Sequence, residues 1–172
     1  MSRDLMLHQR GFTLIEALVV ITMVGVLLAI AAPSFVTFTA TQKVKTASFD
    51  LYAALLFARS EAIKRRQLVT VAPNGGDWKT GWTISTVIGG VATTLRSQDA
   101  LSGVVFSGDT SVVYRLDGRL TNASTSTSPP CTTALCVLIQ PQTTDASIPN
   151  RCIRIDPTGL PKSTTTSATT CS

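Results

Sequence analysis

The sequence predicts an α+β fold in which one long N-terminal helix packs on a globular domain of antiparallel β-sheet. Three observations support this prediction. An apolar run from Phe12 to Ala32 has the length and composition of a membrane-spanning helix. The residues that follow repeat apolar side chains at three- and four-residue steps, which predicts an amphipathic helix. From Gln67 onward, short β-rich segments alternate with glycine-containing turns.

The apolar run contains 21 residues and a single charged side chain, Glu16. As a helix it is about 31 Å long, enough to cross a hydrocarbon core of about 30 Å. A carboxylate in such a run is costly unless it is satisfied, so Glu16 is a candidate functional residue. Arg3 and Arg10 precede the run and predict a cytoplasmic leader by the positive-inside rule.

Two simpler interpretations of this run remain open. It is compatible with a secretory signal peptide cleaved near Ala29-Ile30-Ala31, where small residues fit the cleavage site. It is also compatible with a plain membrane anchor. Glu16 argues against the signal peptide, because the apolar region of such a peptide is normally uncharged.

The second half of the helix is predicted to be amphipathic and to pack on the sheet. Pro33 should kink the helix, because proline lacks an N–H group and crowds the preceding turn. The predicted end is Lys64-Arg65-Arg66, where cations favour the negative end of the helix dipole. The predicted buried stripe consists of Val44, Ala47, Leu51, Leu55, Ala58 and Ala62.

Seven strands are predicted after the helix. Hairpin turns are expected at Gly89-Gly90 and Asp117-Gly118, and another turn at residues 74–77. Residues 121–133 and 141–150 are predicted to be loops, and 163–170 a low-complexity polar tail that is mobile unless Cys171 holds it. The predicted strands are residues 68–72, 82–87, 91–96, 104–107, 111–116, 136–140 and 152–156.

The four cysteines, Cys131, Cys136, Cys152 and Cys171, all lie in the last quarter of the chain. An even number in an exported domain indicates disulfides, and three pairings exist. Proximity in sequence favours Cys131–Cys136 with Cys152–Cys171, and the alternative joins Cys136 to Cys171. A metal site is not expected, because the spacings are unlike those of zinc sites and the one histidine, His8, lies in the predicted leader.

The composition argues against an enzyme. The predicted mature chain has no histidine, no nucleophile elbow and no phosphate-binding loop, and its aspartates are scattered through turns. No cofactor is therefore expected. The net charge of +5 is mildly basic, which is weak support for nucleic acid as a partner.

Gly11-Phe12-Thr13-Leu14-Ile15-Glu16 resembles the processing signal of type IV pilins and type II secretion pseudopilins. The resemblance implies that a prepilin peptidase cleaves after Gly11 and that the new terminal residue, Phe12, is N-methylated. It also implies that Glu16 pairs with the terminal amine of a neighbouring subunit. An unpaired buried charge is strongly destabilising, which gives this pairing a physical reason. Pro33 lies where pilins commonly carry a proline.

Further motifs resemble the GspH/FimT branch of this family. They occur in order along nearly the whole chain, which makes the set more specific than any member. The implied fold is type IV pilin-like, and Trp78 and Trp82 are expected in its core. The motifs are Ala58-Arg59-Ser60-Glu61-Ala62, Trp78-Lys79-Thr80-Gly81-Trp82, Tyr114-Arg115-Leu116-Asp117-Gly118, and Arg151-Cys152-Ile153-Arg154-Ile155 followed by Gly159.

The resemblance implies a minor pilin that helps to initiate or cap a pilus, or a pseudopilin of a type II secretion system. Some FimT members bind DNA through a Gly-Arg-x-Arg turn; here the turn reads Gly159-Leu160-Pro161-Lys162. Arginine provides a bidentate phosphate contact that lysine lacks, so the departure weakens the case for double-stranded DNA as a partner. The candidate DNA-binding residues are Arg151, Arg154 and Lys162.

The resemblance also sets the predicted organisation of the chain. Residues 1–11 form the leader, 12–35 the membrane-spanning and filament-core helix, 36–66 its amphipathic half, and 67–172 the β-rich domain with a disulfide-linked C-terminal region. The expected partners are the prepilin peptidase and other pilins, contacted through the N-terminal helix. The expected location is the bacterial inner membrane, as a single-pass protein with a periplasmic domain, and later the pilus or pseudopilus.

Overall fold

The computed structural model of the chain describes residues 12–121, 131, 135–143, 145 and 147–171. The predicted leader, with Gly11 and His8, lies outside the described residues. Helix α1 spans Leu14–Arg65. The chain forms two compact units, Met1–Val36 and Thr37–Ser172, and α1 contributes its first part to one and its last part to the other.

Helix α1 begins and ends at residues suited to those positions. Thr13 precedes the helix, and its side-chain oxygen accepts a hydrogen bond from the backbone N–H of Glu16 at 3.3 Å. Lys64 and Arg65 lie in the last turn, where positive charge is favourable. Arg66 then adopts a positive φ of 53°, which stops the helix. The helix assignment runs through Pro33, and the kink expected there stays a prediction.

The predicted amphipathic stripe is confirmed. All six of its residues are at most 1% exposed, and they pack into one core with both sheets of the domain. Trp78 and Trp82 belong to the same core, with ring centroids 6.1 Å apart, and Trp78 donates its indole N–H to the carbonyl of Asp109. These tryptophans are therefore packing residues.

The described strands form two antiparallel sheets, which confirms the predicted antiparallel β-sheet domain. Sheet 1 has the order β3-β2-β1-β5 and sheet 2 the order β4-β6-β7-β8. Short 3-10 turns at Asn74–Gly76 and Trp78–Thr80 connect β1 to β2. The strands are β1 Val69–Pro73, β2 Trp82–Ile88, β3 Val91–Gln98, β4 Val104–Gly108, β5 Val112–Tyr114, β6 Leu135–Pro141, β7 Asn150–Ile155 and β8 Pro161–Thr166.

The part of sheet 2 formed by β6 and β7 is covered on both faces. Successive side chains of a strand point to opposite faces. On β7, Ile153 and Ile155 join the main core, whereas Cys152 joins a second buried cluster with Cys136 and Leu138 of β6. The unbroken apolar run of β6 reflects this double coverage, since a strand buried on both faces loses its alternation.

The prediction for the C-terminal segment was wrong in part. Residues 163–166 belong to β8, which pairs with β7 from Asn150↔Thr166 to Ile155↔Pro161. Threonine has a high β propensity, and β7 supplies the backbone hydrogen-bond partners for the segment. The prediction considered only the low complexity of the segment and therefore missed this strand. The segment also ends at a disulfide between Cys171 and Cys152.

Candidate functional site

The N-terminal part of α1 is an exposed apolar surface. Thirteen large apolar side chains from Phe12 to Ile30 are each at least 42% exposed, and Phe12 itself is 81% exposed. The helix is long and apolar enough to cross a membrane, with a mean hydropathy of 2.7 over its most apolar window. A helix that is apolar on every side requires lipid or other protein around it.

Glu16 occupies the third position of α1, and its backbone N–H is capped by Thr13. Thr-x-x-Glu is the pattern of a capping box, in which the acidic side chain lies near unpaired N–H groups at the helix start. The carbonyl of Thr13 also accepts the first helical hydrogen bond, from Ala17 at 3.1 Å. Glu16 thus lies in the first turn of the helix, where negative charge is favourable, and its contact with another subunit stays a prediction.

Arg59, near the C-terminal end of α1, connects two loops of the domain through hydrogen bonds. Its Nε–H donates to the carbonyl of Gly118 at 3.1 Å, and Nη2 donates to the carbonyl of Thr158 at 3.5 Å. Gly118 follows sheet 1, and Thr158 lies between β7 and β8 of sheet 2. Arg59 therefore connects the two sheets. We call this group the Arg59 junction: Arg59, Tyr114, Gly118, Thr158 and Gly159.

The two turns at the Arg59 junction touch each other directly. Gly159 has a φ of +81°, and a Cβ placed there would lie 2.0 Å from the carbonyl oxygen of Gly118. Tyr114 packs beside Gly159 and is fully buried, and its hydroxyl has no hydrogen-bond partner among the described residues. Burial raises the pKa of Tyr114 well above its usual value; the charge of Arg59 opposes this shift and that of Asp156 adds to it.

The Arg59 junction explains why three separated motifs accompany one another. Arg59, the Asp117-Gly118 turn and Gly159 lie far apart in sequence and meet at one place in the fold. The motif around Arg59 did not by itself indicate which turns the arginine contacts. The glycines were the available signal, because a turn glycine is required where backbones approach closely.

Glu61, two residues further along α1, is paired within the helix. Its carboxylate accepts a hydrogen bond from Arg65 at 2.5 Å and lies 3.8 Å from Lys64. The hydrogen bond from Arg65 keeps the pKa of Glu61 below its usual value, although partial burial acts in the opposite direction. Glu61 therefore compensates part of the positive charge at the end of the helix.

The candidate DNA-binding residues are not brought together as one patch. Arg154 and Lys162 are direct partners across β7 and β8. Arg151 is an odd number of residues from Arg154, so it lies on the opposite face, beside Tyr52 and Lys45 of α1. Asp156 lies near Lys162: burial raises its pKa, but hydrogen bonds from Thr158 and Leu160 and the charge of Lys162 lower it overall. This carboxylate offsets the lysine's charge.

The cysteines form two disulfides, Cys131–Cys136 and Cys152–Cys171, the pairing favoured by proximity. The Sγ atoms of Cys136, Cys152 and Cys171 lie within 4.8 Å of one another. Because all of them are bonded to sulfur in this form, none offers the thiolate that a metal ion requires. The cluster joins the segment before β6 and the end of the chain to the outer face of sheet 2.

Comparison with known proteins identifies the family. The model of the family described as type II transport protein GspH matches residues 47–159, more than half of the chain. The chain belongs to the GspH family. A model of the prokaryotic N-terminal methylation motif matches residues 6–32, the segment with the apolar run. The matched residues of the GspH model include every part of the Arg59 junction.

Curated relatives of this GspH-family chain are fimbrial. A fimbrial protein of Pseudomonas aeruginosa is 35% identical over 83 residues, covering 48% of this chain and 54% of the relative. The type IV major fimbrial protein FimA of Dichelobacter nodosus is 28% identical over 123 residues, covering 69% of this chain and 70% of FimA. The chain therefore spans about half the length of the first relative.

Solved structures confirm the pilin-like fold. The type IV minor pilin FimU of Pseudomonas aeruginosa has a TM-score of 0.56 and 24% identity, covering 73% of this chain and 90% of FimU. The minor pseudopilin EpsH from the type 2 secretion system of Vibrio cholerae has a TM-score of 0.54 and 12% identity, covering 72% of this chain and 97% of EpsH. The chain therefore shares its fold with a type IV minor pilin and with a type II secretion pseudopilin.

Proposed function

We propose that this chain is a minor type IV pilin of the FimT/FimU type. A prepilin peptidase cleaves it after Gly11, Phe12 is N-methylated, and the inner membrane holds it through α1 with its globular domain in the periplasm. It then enters the pilus as a structural subunit that helps to initiate or cap the filament. The observation that carries this proposal is the exposed apolar surface of α1.

The free energy of covering this surface is large. Fully burying one large apolar side chain stabilises a protein by about 1.5–3 kcal/mol, so the thirteen exposed ones correspond to at most about 40 kcal/mol. A bilayer covers the surface before assembly. In a filament, the corresponding helices of neighbouring subunits cover it instead.

Glu16 provides the specificity of that exchange. A carboxylate moving from the membrane into a filament core needs a cation, and the amine created by cleavage at Phe12 is the nearest group of that kind in the mature sequence. Glu16 is the third residue of α1, so it lies near the N-terminal end of the helix, where the amine of a neighbour would approach.

A first experiment tests processing. The full chain is expressed with and without a prepilin peptidase, and its N-terminus is determined by mass spectrometry. We expect a chain that begins with methylated Phe12. Gly11→Ala should leave uncut precursor in the membrane, whereas Gly25→Ala should be cut normally, because a Cβ at Gly25 meets no atom within 4 Å. A product that begins downstream of Pro33 would contradict the proposal.

A second experiment tests assembly. Glu16→Ala should be cleaved normally but should be depleted from sheared pili, because the buried amine loses its partner. A carboxylate restored one residue away, in the double variant Glu16→Ala/Ile15→Glu, should not rescue assembly if position matters. Wild-type incorporation of Glu16→Ala would refute the pairing.

A pseudopilin of a type II secretion system is the alternative, supported by the EpsH fold. The two functions differ in what is lost on deletion: pili and twitching motility for a minor pilin, and exported enzymes in the medium for a pseudopilin. The fimbrial relatives support the pilus. Retention of pili together with loss of secretion would favour the alternative.

Double-stranded DNA binding has less support, because only Arg154 and Lys162 of the three candidate cations are neighbours. An electrophoretic shift assay with the detergent-solubilised full chain tests it, with Lys162→Ala compared against Lys79→Ala at the other end of the domain. No shift at low salt would exclude this function.

A further inference from the structure

One end of sheet 1 concentrates exposed aliphatic side chains. Val69 of β1 pairs with Thr86 on one side and Tyr114 on the other, and Thr86 pairs with Thr93, so these four residues form one row across the sheet. The strand ends beyond this row, together with the end of α1, carry six large apolar side chains that are 41–66% exposed. These are Ile63, Leu68, Val87, Ile88, Val91 and Leu116.

Cations surround these side chains. Lys64, Arg65 and Arg66 end the helix, and Arg115 and Arg119 flank the turn after β5; all five residues are exposed. The acidic residues among them are Glu61, which is already paired with Arg65, and Asp117. We call this region the basic-aliphatic end. It contains a large share of the chain's net charge of +5.

The aliphatic side chains lie on a well-supported scaffold. Val87, Ile88 and Val91 flank the Gly89-Gly90 turn of the β2–β3 hairpin. The hydroxyl of Thr86 donates to the carbonyl of Leu68 at 2.7 Å, which fixes this hairpin against the end of α1. Ile63 packs beside Gly118, so the turn with Arg115 and Arg119 is held at the same end.

We propose that the basic-aliphatic end docks on the surface of a bilayer that contains anionic lipids. Exposed aliphatic side chains at a hairpin tip can enter the headgroup region, and the surrounding Lys and Arg side chains pair with lipid phosphates. One ligand then accounts for both features. Nucleic acid would use the charges and leave the aliphatic side chains exposed to water. The proposal is independent of whether the chain functions in a pilus or in secretion.

Vesicle tethering tests this docking with the full chain. The protein is reconstituted through α1 into phosphatidylcholine vesicles, and acceptor vesicles of phosphatidylcholine alone or with phosphatidylglycerol are added. Light scattering measures clustering. We expect clustering with the anionic acceptors and a marked decrease at high salt, because exposed charges are screened. Equal clustering with both acceptors would overturn the proposal.

Two sets of variants separate the contributions. Arg66→Gln/Arg115→Gln should weaken apparent binding, by about five-fold per charge, since each cation near an anionic surface contributes about 1 kcal/mol. Lys45→Gln/Lys79→Gln removes the same charge from exposed positions away from this end and should have little effect. An equal loss of clustering in both double variants would show attraction by net charge alone. That result would overturn docking through the basic-aliphatic end.

Val87→Thr/Ile88→Thr/Val91→Thr tests the aliphatic contribution. Threonine keeps the β propensity of the hairpin and removes the apolar surface. We expect clustering to fall at least ten-fold, whereas Val105→Thr, an exposed position on β4, should match the wild type. Calorimetry of each variant checks that the domain remains folded. Undiminished clustering by the hairpin variant would show recognition by charge only and would refute lipid docking.

Discussion

The Arg59 junction makes a quantitative prediction for Arg59→Met, which keeps most of the aliphatic stem and removes the guanidinium. The variant loses the hydrogen bonds to Gly118 and Thr158 at 3.1 and 3.5 Å. Gly118 is buried, so its carbonyl is left without this donor. Hydrogen bonds to charged groups contribute about 1.5–3 kcal/mol, and the 3.5 Å contact is the weaker one. We therefore expect a loss of about 2 kcal/mol.

Calorimetry of the full chain in detergent measures this loss. For a chain of this size, 1 kcal/mol shifts Tm by about 2–4 °C, so Arg59→Met should melt about 4–8 °C below the wild type. Lys45→Met is the matched control, because Lys45 is an exposed cation on the same helix. If the two variants melt at the same temperature, Arg59 does not connect the sheets energetically, and the explanation of the shared motifs fails.

Three further predictions concern the domain's stability. Gly159→Ala should destabilise the domain by more than about 2 kcal/mol, because the new Cβ would lie 2.0 Å from the carbonyl oxygen of Gly118. In the control Gly75→Ala the new Cβ meets no atom within 4 Å, so this variant should lose only the free energy of its backbone strain. Equal melting temperatures of the two variants would contradict the close approach. Tyr114→Phe should be neutral or stabilising by about 1 kcal/mol, since the hydroxyl lacks a described partner. Above about pH 10 the wild type should lose stability, because tyrosine ionises in the unfolded chain whereas the buried Tyr114, with its raised pKa, does not. Tyr114→Phe should reduce this loss, and an unchanged dependence of the urea midpoint on alkaline pH would count against the assignment. Cys152→Ala/Cys171→Ala opens a 19-residue separation and should cost about 3 kcal/mol by loop entropy, measured by the urea midpoint, with wild-type stability as the contrary result.

The sequence was sufficient to predict the elements with strong periodicity. The buried stripe of α1 follows from three- and four-residue spacing, and its six residues are all in the core. The hairpin at Gly89-Gly90 follows from its glycines, and β2 and β3 pair across that turn. Both features depend on residues that are neighbours in the chain, which is why a local pattern was enough.

Long-range pairing could not be read in the same way. The division into two sheets depends on β4 pairing with β6 rather than with β3, and no local pattern specifies that choice. Strand β8 is polar and exposed except at its ends, so its residues lack the alternation typical of a half-buried strand. The pairing of Lys162 with Arg154 depends on strand register, which was unknown before the fold. The opposite orientation of Arg151 follows from its odd spacing to Arg154 within one strand.

The tryptophan pair has a practical consequence for experiments on the membrane-bound protein. The chain has two tryptophans, and both are buried side by side in the globular domain, with none in the apolar part of α1. Intrinsic fluorescence excited near the red edge of the indole band therefore reports on that domain alone. Its unfolding can be followed optically after reconstitution in a bilayer, without a label and without background from the apolar part of α1.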